Sequence, residues 1–171
     1  MSKKALFLDR DGVINIDYGY IYKIEDFDFS DGIFDILRYF QKKDYYIFIV
    51  TNQSGIARGY YTIQDYETLT LWMLQKLQQK NINIDKVVFC PYLTGEKSNC
   101  RKPNRGMIDT ILNEFDVDLK NSIMIGDKPS DIDMAINVGI EKTIYINKKS
   151  LNRASLSFNS IYEYKKYLSS S

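Results

Sequence analysis

Short apolar runs alternate along this chain with segments whose apolar residues recur at helical spacing. Ala5 to Leu8, Tyr45 to Val50, Lys86 to Phe89, Ser122 to Ile125 and Thr143 to Ile146 are apolar at most positions, which predicts strands buried on both faces. Between them, Ile33, Ile36, Leu37 and Phe40 fall on one helix face, as do Met107, Ile108, Ile111, Leu112 and Phe115. The longest helix is predicted from Ile63 to Lys80, with Thr62 as its N-cap and Ile63, Tyr66, Leu69, Met73 and Leu77 turned inward. Ser130 to Val138 predicts another, closed by Gly139, and Ser160 to Leu168 a last one. Asn15 to Ser30 and Cys90 to Pro103 follow neither period and predict loops. The aromatics Tyr18, Tyr20, Tyr22, Phe27 and Phe29 could support a short hairpin in the first.

Strand and helix in repeated alternation predict an α/β fold: a Rossmann-like parallel sheet of about five strands with helices on both faces. The expected organisation is one domain over residues 1–171, with no stretch long enough for a large cap. In such open sheets ligands bind beyond the carboxyl ends of the strands.

Composition narrows the class of partner. Lys and Arg total 23 against 22 Asp and Glu, so no overall basic field draws nucleic acid, and none is expected as a partner. No apolar run is long enough to span a bilayer. Lys3 and Lys4 lead into only a brief apolar run, so no signal peptide is expected. Two cysteines, Cys90 and Cys100, make no disulfide framework, and both are expected to be reduced. The expectation is a cytoplasmic monomer without a membrane partner.

Four polar motifs follow four of the predicted strands. After the first stands Asp9-Arg10-Asp11-Gly12, where two carboxylates at a strand end can share a crevice, one to attack and bind a metal and one to move protons. After the second stands Thr51-Asn52-Gln53-Ser54-Gly55, whose hydroxyls and amides can cradle phosphate oxygens. Arg101-Lys102-Pro103 puts two cations before a predicted helix, a setting that suits an anion. Gly126-Asp127-Lys128-Pro129-Ser130-Asp131 offers a carboxylate that could complete an oxygen shell for Mg²⁺, with Asp131 placed as a helix cap. Each motif alone reads equally well as a turn, a polar loop or a solvated basic pair.

In chain order, however, carboxylate pair, hydroxyl, lysine and carboxylate resemble the four motifs of the haloacid-dehalogenase superfamily, over nearly the whole chain. Phe7-Leu8-Asp9-Arg10-Asp11-Gly12, Asp17-Tyr18-Gly19-Tyr20, Thr51 to Gly59 and Cys100-Arg101-Lys102-Pro103 look like the D-glycero-D-manno-heptose 1,7-bisphosphate 7-phosphatase family. That family lacks a large cap and is related to histidinol-phosphate phosphatases. The resemblance implies a Mg²⁺-dependent phosphatase acting on a phosphorylated sugar. Asp9 would be nucleophile and metal ligand, Asp11 the general acid and base with its carbonyl on the metal, and Asp127 the remaining metal ligand. Thr51 and Lys102 would hold the phosphoryl group. Asp17, Tyr18, Gly19, Tyr20, Asn52, Gln53, Ser54, Arg101 and Lys128 would contact substrate, with Arg101 a candidate for a second phosphate.

The chain departs from its relatives in one loop. They carry a structural zinc on a C-x-H and C-x-C pattern, but here only Cys90 and Cys100 match, with Tyr92 and Ser98 in place of the other two ligands. Half a ligand shell does not hold a structural zinc, so none is expected. The alternative readings are a histidinol-phosphate phosphatase, a nucleic-acid 3′-phosphatase, and an inactive binding module on the same fold.

Overall fold

The computed structural model describes residues 1–96 and 98–171. Six strands run parallel in one sheet, β1 (Ala5–Leu8), β2 (Tyr46–Asn52), β3 (Lys86–Cys90), β4 (Ile123–Gly126), β5 (Lys142–Ile146) and β6 (Leu156–Phe158), in the spatial order β3-β2-β1-β4-β5-β6. Leu6 is in register with Ile47 on one side and Ile123 on the other, so β1 is fully flanked. Four helices connect the first five strands, α1 (Ile33–Lys42), α2 (Ile63–Gln79), α3 (Gly106–Leu112) and α4 (Pro129–Val138), and α5 (Ile161–Ser169) follows β6.

Side chains alternate across the pleat, which divides the core into two layers. Leu6, Leu8, Ile47, Ile49, Ile125 and Ile144 face one cluster with residues of α1, α2 and α5. Ala5, Phe7, Phe48, Val50 and Met124 face the other, with residues of α3 and α4. This two-sided coverage is what makes the parallel strands continuously apolar.

Two expectations need correction here. The sheet has six strands, because Leu156-Ser157-Phe158 adds parallel to β5 at the edge; a three-residue run with a central serine is too short to show a period. Ile63 opens α2 at 46% exposure, whereas Tyr66, Leu69, Met73 and Leu77 are buried. Thr62 does cap that helix, accepting from the Asp65 amide while the Asp65 carboxylate accepts from Thr62 N.

The chain order reverses at β1, whose neighbours β2 and β4 lead to opposite halves of the sheet. A crevice therefore opens beyond the carboxyl ends of β1 and β4. The segment between β1 and α1 folds over this end as a loop with one short 3₁₀ turn at Ile24–Asp26. It is pinned by antiparallel pairing of Asn15 with Phe29, a minimal version of the expected hairpin. Among the described residues no helix is long and apolar enough to cross a membrane.

Candidate active site

At the end of β1 the backbone turns sharply: the amides of Val13, Ile14 and Asn15 all donate to the Arg10 carbonyl. Gly12 makes this turn at φ 89°, and a Cβ there would run into the Asp127 carboxylate, so the close approach requires glycine twice over. Asp9 and Asp11 consequently leave the strand in different surroundings. Oδ1 of Asp9 accepts from the Arg10 amide (2.9 Å) and from Lys102 Nζ (2.9 Å). Asp11 accepts at Oδ1 from Arg10 Nη2 (3.0 Å) and Asn15 Nδ2 (2.9 Å), and at Oδ2 from Gln53 Nε2 (3.1 Å).

Lys102 is 4% exposed and spends its three protons on Asp9, on the Val50 carbonyl (2.9 Å) and on Oδ1 of Asp131 (2.6 Å). Its amide donates to Oδ1 of Asn52 (3.2 Å), which ties the lysine loop to the end of β2. Asp131, 1% exposed, also accepts the Lys128 amide (3.1 Å). It is therefore the expected cap of α4 and an unexpected member of the site. Gly126 lets it in, since a Cβ there would overlap the Asp131 side chain.

Oxygens of Asp9, Asp127 and Asp131 lie within 4.8 Å of one another. Burial, then the Asp131 charge, push Asp9 up to about 6 against the pull of Lys102. Burial, then the Asp9 carboxylate, push Asp127 up to about 7, with Lys128 opposing. Burial works to lower Lys102, but Asp131 and Asp9 outweigh it and raise it above the ordinary lysine value. Oδ1 of Asp127 is buried without a hydrogen-bond partner among the described residues. Mutually repelling carboxylates with an orphaned oxygen fit a hard divalent cation such as Mg²⁺, which takes oxygen ligands.

A cleft of about 340 Å³ opens above this floor, and among its lining residues are Asp9, Asp11, Asp17, Gly19, Tyr20, Asn52, Gln53, Ser54, Arg101, Lys102 and Lys128. Thr51 is fully buried beneath it and accepts from Gln53 Nε2 (2.8 Å). Lys128 Nζ stands 3.5 Å from both Asp17 and Asp127. Tyr18 alone of the expected substrate contacts is not brought in: it is 57% exposed and donates to Asp28 (2.8 Å), away from the cleft lining.

Gln53 is more occupied than a substrate contact would be. Its Nε2 donates to Asp11 and Thr51, and its Oε1 accepts from the Tyr61 hydroxyl. Tyr61, Arg58 and Ser130 line the cleft without having been anticipated. For Tyr61 a signal was available in Gly55, since its bare backbone admits the Tyr61 ring.

The reduced-cysteine expectation is overturned: Cys90, at the end of β3, and Cys100 form a disulfide with Cα atoms 5.5 Å apart. The loop folds back so that Cys100 returns beside Cys90, a proximity that no spacing rule states in advance. Ser98, in the position of a third metal ligand, instead accepts from the Cys100 amide (3.2 Å), and Tyr92 is largely exposed. The bridge anchors the residues just ahead of Arg101 and Lys102.

A carboxylate held by a lysine, a second carboxylate two residues on, a buried hydroxyl and an oxygen-rich cation site are the parts that phosphoryl transfer calls for. Comparison with known proteins gives a consistent picture. The model of the HAD-hydrolase-like family matches residues 99–157. The chain is 53% identical over 149 residues to D-glycero-alpha-D-manno-heptose-1,7-bisphosphate 7-phosphatase of Campylobacter jejuni, covering 87% of this chain and 86% of that protein. It is 38% identical over 156 residues to the D-glycero-beta-D-manno-heptose-1,7-bisphosphate 7-phosphatase of Escherichia coli K12, covering 86% and 82%. Among solved structures, the D,D-heptose 1,7-bisphosphate phosphatase of B. bronchiseptica complexed with magnesium and phosphate superposes with a TM-score of 0.85 at 25% identity, over 98% of each chain.

Proposed function

The chain belongs to the D-glycero-D-manno-heptose-1,7-bisphosphate 7-phosphatase family of haloacid-dehalogenase-like hydrolases, and from that premise we propose that it removes the C7 phosphate of this sugar bisphosphate as a single-domain, cytoplasmic monomer. The observation that carries the reading is the convergence of Asp9, Lys102, Asp127 and Asp131 on the floor of one cleft. Asp9, through the oxygen not held by Lys102, attacks phosphorus, and the bond from phosphorus to the C7 oxygen breaks. Asp11 gives its proton to that leaving oxygen. In the second step Asp11 takes a proton from water as the water oxygen attacks the aspartyl phosphate, releasing inorganic phosphate and restoring Asp9.

Thr51 and Lys102 meet the charge that spreads over the phosphoryl oxygens. Gln53 supports this by donating to Thr51 Oγ1, which directs the threonine proton away from Gln53. Mg²⁺ would be held by Asp9 and Asp127 with the Asp11 carbonyl, and when bound it supplies charge neutralisation for the transferred group. The Asp131 carboxylate supports that site from the side of Lys102. Asp17, Gly19, Tyr20, Asn52, Ser54 and Arg101 are assigned to the sugar and its second phosphate, and Lys128 to the substrate from its place beside Asp127, on the strength of lining the cleft.

No structural zinc belongs to this reading, because the pairing of Cys90 with Cys100 leaves neither thiolate to a metal. Of the two anomers, the α form is favoured by the 53% identity to the Campylobacter jejuni enzyme. Phosphate release from both anomers of the bisphosphate, histidinol phosphate and a 3′-phosphorylated oligonucleotide tests the assignment. Turnover of a heptose bisphosphate, α above β, is expected, and preference for either of the other compounds overturns it.

A further inference from the structure

Six arginines occur in the chain, and four of them are neutralised by a carboxylate: Arg10 by Asp11 (3.0 Å), Arg38 by Asp35 (3.6 Å), Arg105 by Asp109 (2.9 Å) and Arg153 by Asp133 (2.5 Å). The two that have no carboxylate partner among the described residues, Arg58 and Arg101, are the two that line the cleft beside the catalytic floor. They arrive from adjacent strands, Arg58 on the turn after β2 and Arg101 on the loop after β3.

The other two cations of the cleft already face carboxylates. Lys102 has all three protons engaged, and Lys128 lies between Asp17 and Asp127. What remains is two unneutralised guanidinium groups, a charge that matches one phosphate dianion. Arg101 is already steadied by Thr94 Oγ1 (3.0 Å) and the Tyr92 carbonyl (3.4 Å).

Arg58 is steadied differently. Its amide donates to the Ser54 carbonyl (3.0 Å), so it sits one turn beyond the Thr51 to Ser54 segment. Its guanidinium lies 5.9 Å over the Tyr20 ring, and Tyr20 packs edge-on against Tyr60 at 4.8 Å. A guanidinium drawn to an aromatic face by cation–π attraction keeps its N–H donors for a ligand.

We propose that Arg58 is a specificity-determining residue that, with Arg101, grips the phosphate that is not transferred, and that Tyr20 holds its guanidinium in place. This rests on the bisphosphate reading above and deepens it. The residue then separates sugar bisphosphates from monophosphates and leaves the chemistry to the floor.

The test is the ratio of kcat/KM for a bisphosphate to that for its matching monophosphate. Two pairs serve: heptose 1,7-bisphosphate with heptose 7-phosphate, and fructose 1,6-bisphosphate with fructose 6-phosphate. In Arg58→Gln the ratio falls by about tenfold or more, the scale of a lost charge-assisted hydrogen bond, with most of the change in KM. Arg58→Lys, which keeps the charge but not the fork, recovers only part of the ratio. A ratio unchanged in both variants overturns the proposal, as does a wild-type protein that prefers the bisphosphate in neither pair. If the heptose bisphosphate is not turned over, the substrate reading fails, and the fructose pair still decides the role of Arg58.

Discussion

The Lys102 ammonium and the Asp9 carboxylate meet at 2.9 Å although 93 residues separate them in the chain. Both are buried, and the same ammonium holds Asp131 at 2.6 Å. One ammonium thus sits against two carboxylates that the fold forces out of water. Removing one partner of such a buried arrangement leaves uncompensated charge, which costs far more than an exposed ion pair returns. Lys102→Met should lower unfolding stability by about 3–5 kcal/mol in urea titrations and cut turnover by about a hundredfold or more. A variant as stable as the parent would show that the three groups are not coupled.

Repulsion among Asp9, Asp127 and Asp131 makes a second prediction. Mg²⁺ at about a hundred times its Kd should stabilise the protein by about 2.7 kcal/mol, visible as a rise in Tm that a chelator reverses. Asp127→Asn removes one of the repelling charges, so it should raise the Tm of the metal-free protein while abolishing the Mg²⁺ increment. An undiminished increment in that variant would move the cation elsewhere.

Stability should also fall at high pH. Burial pushes Tyr61 up to about 12 and raises Tyr66 and Tyr164 as well. A phenol with a raised folded-state pKa binds its proton more tightly in the native protein than in the unfolded chain. Its contribution is therefore complete below the unfolded value near 10 and lost as pH climbs towards 12. Tm should decline across that interval, with tyrosinate absorbance appearing in at least two phases. One phase near pH 10 in the folded protein would contradict the burial argument.

Much of this arrangement was legible because parallel strands covered on both faces write themselves as apolar runs. β1, bounded at Ala5 and Leu8, matched to the residue. Capping chemistry was equally local, as Thr62 and Gly139 illustrate: one accepts from Asp65 N, the other closes α4 at φ 90°. What escaped was non-local. Asp131 looks like a cap and is one, but its second oxygen meets a lysine from another loop. Cys90 and Cys100 are brought together by the return of a loop without period, and β6 is too short to announce itself. Tyr18 looked like a neighbour of the cleft because it follows the Asp9 to Gly12 turn closely and lies in the Asp17 to Tyr20 motif, yet its side chain turns to Asp28. Arg58 stands within the Thr51 to Gly59 motif without marking itself as a contact; its place in the cleft and the ion pairing of the other arginines single it out.

The central claim is that phosphate leaves through a covalent bond to Asp9, and acid-quenched peptide mass spectrometry during turnover of heptose 1,7-bisphosphate tests it most directly. A phosphate adduct on the peptide containing Asp9, absent in Asp9→Asn together with all turnover, is the predicted result. Sustained phosphate release by Asp9→Asn, or an adduct on Asp11 instead, would contradict it.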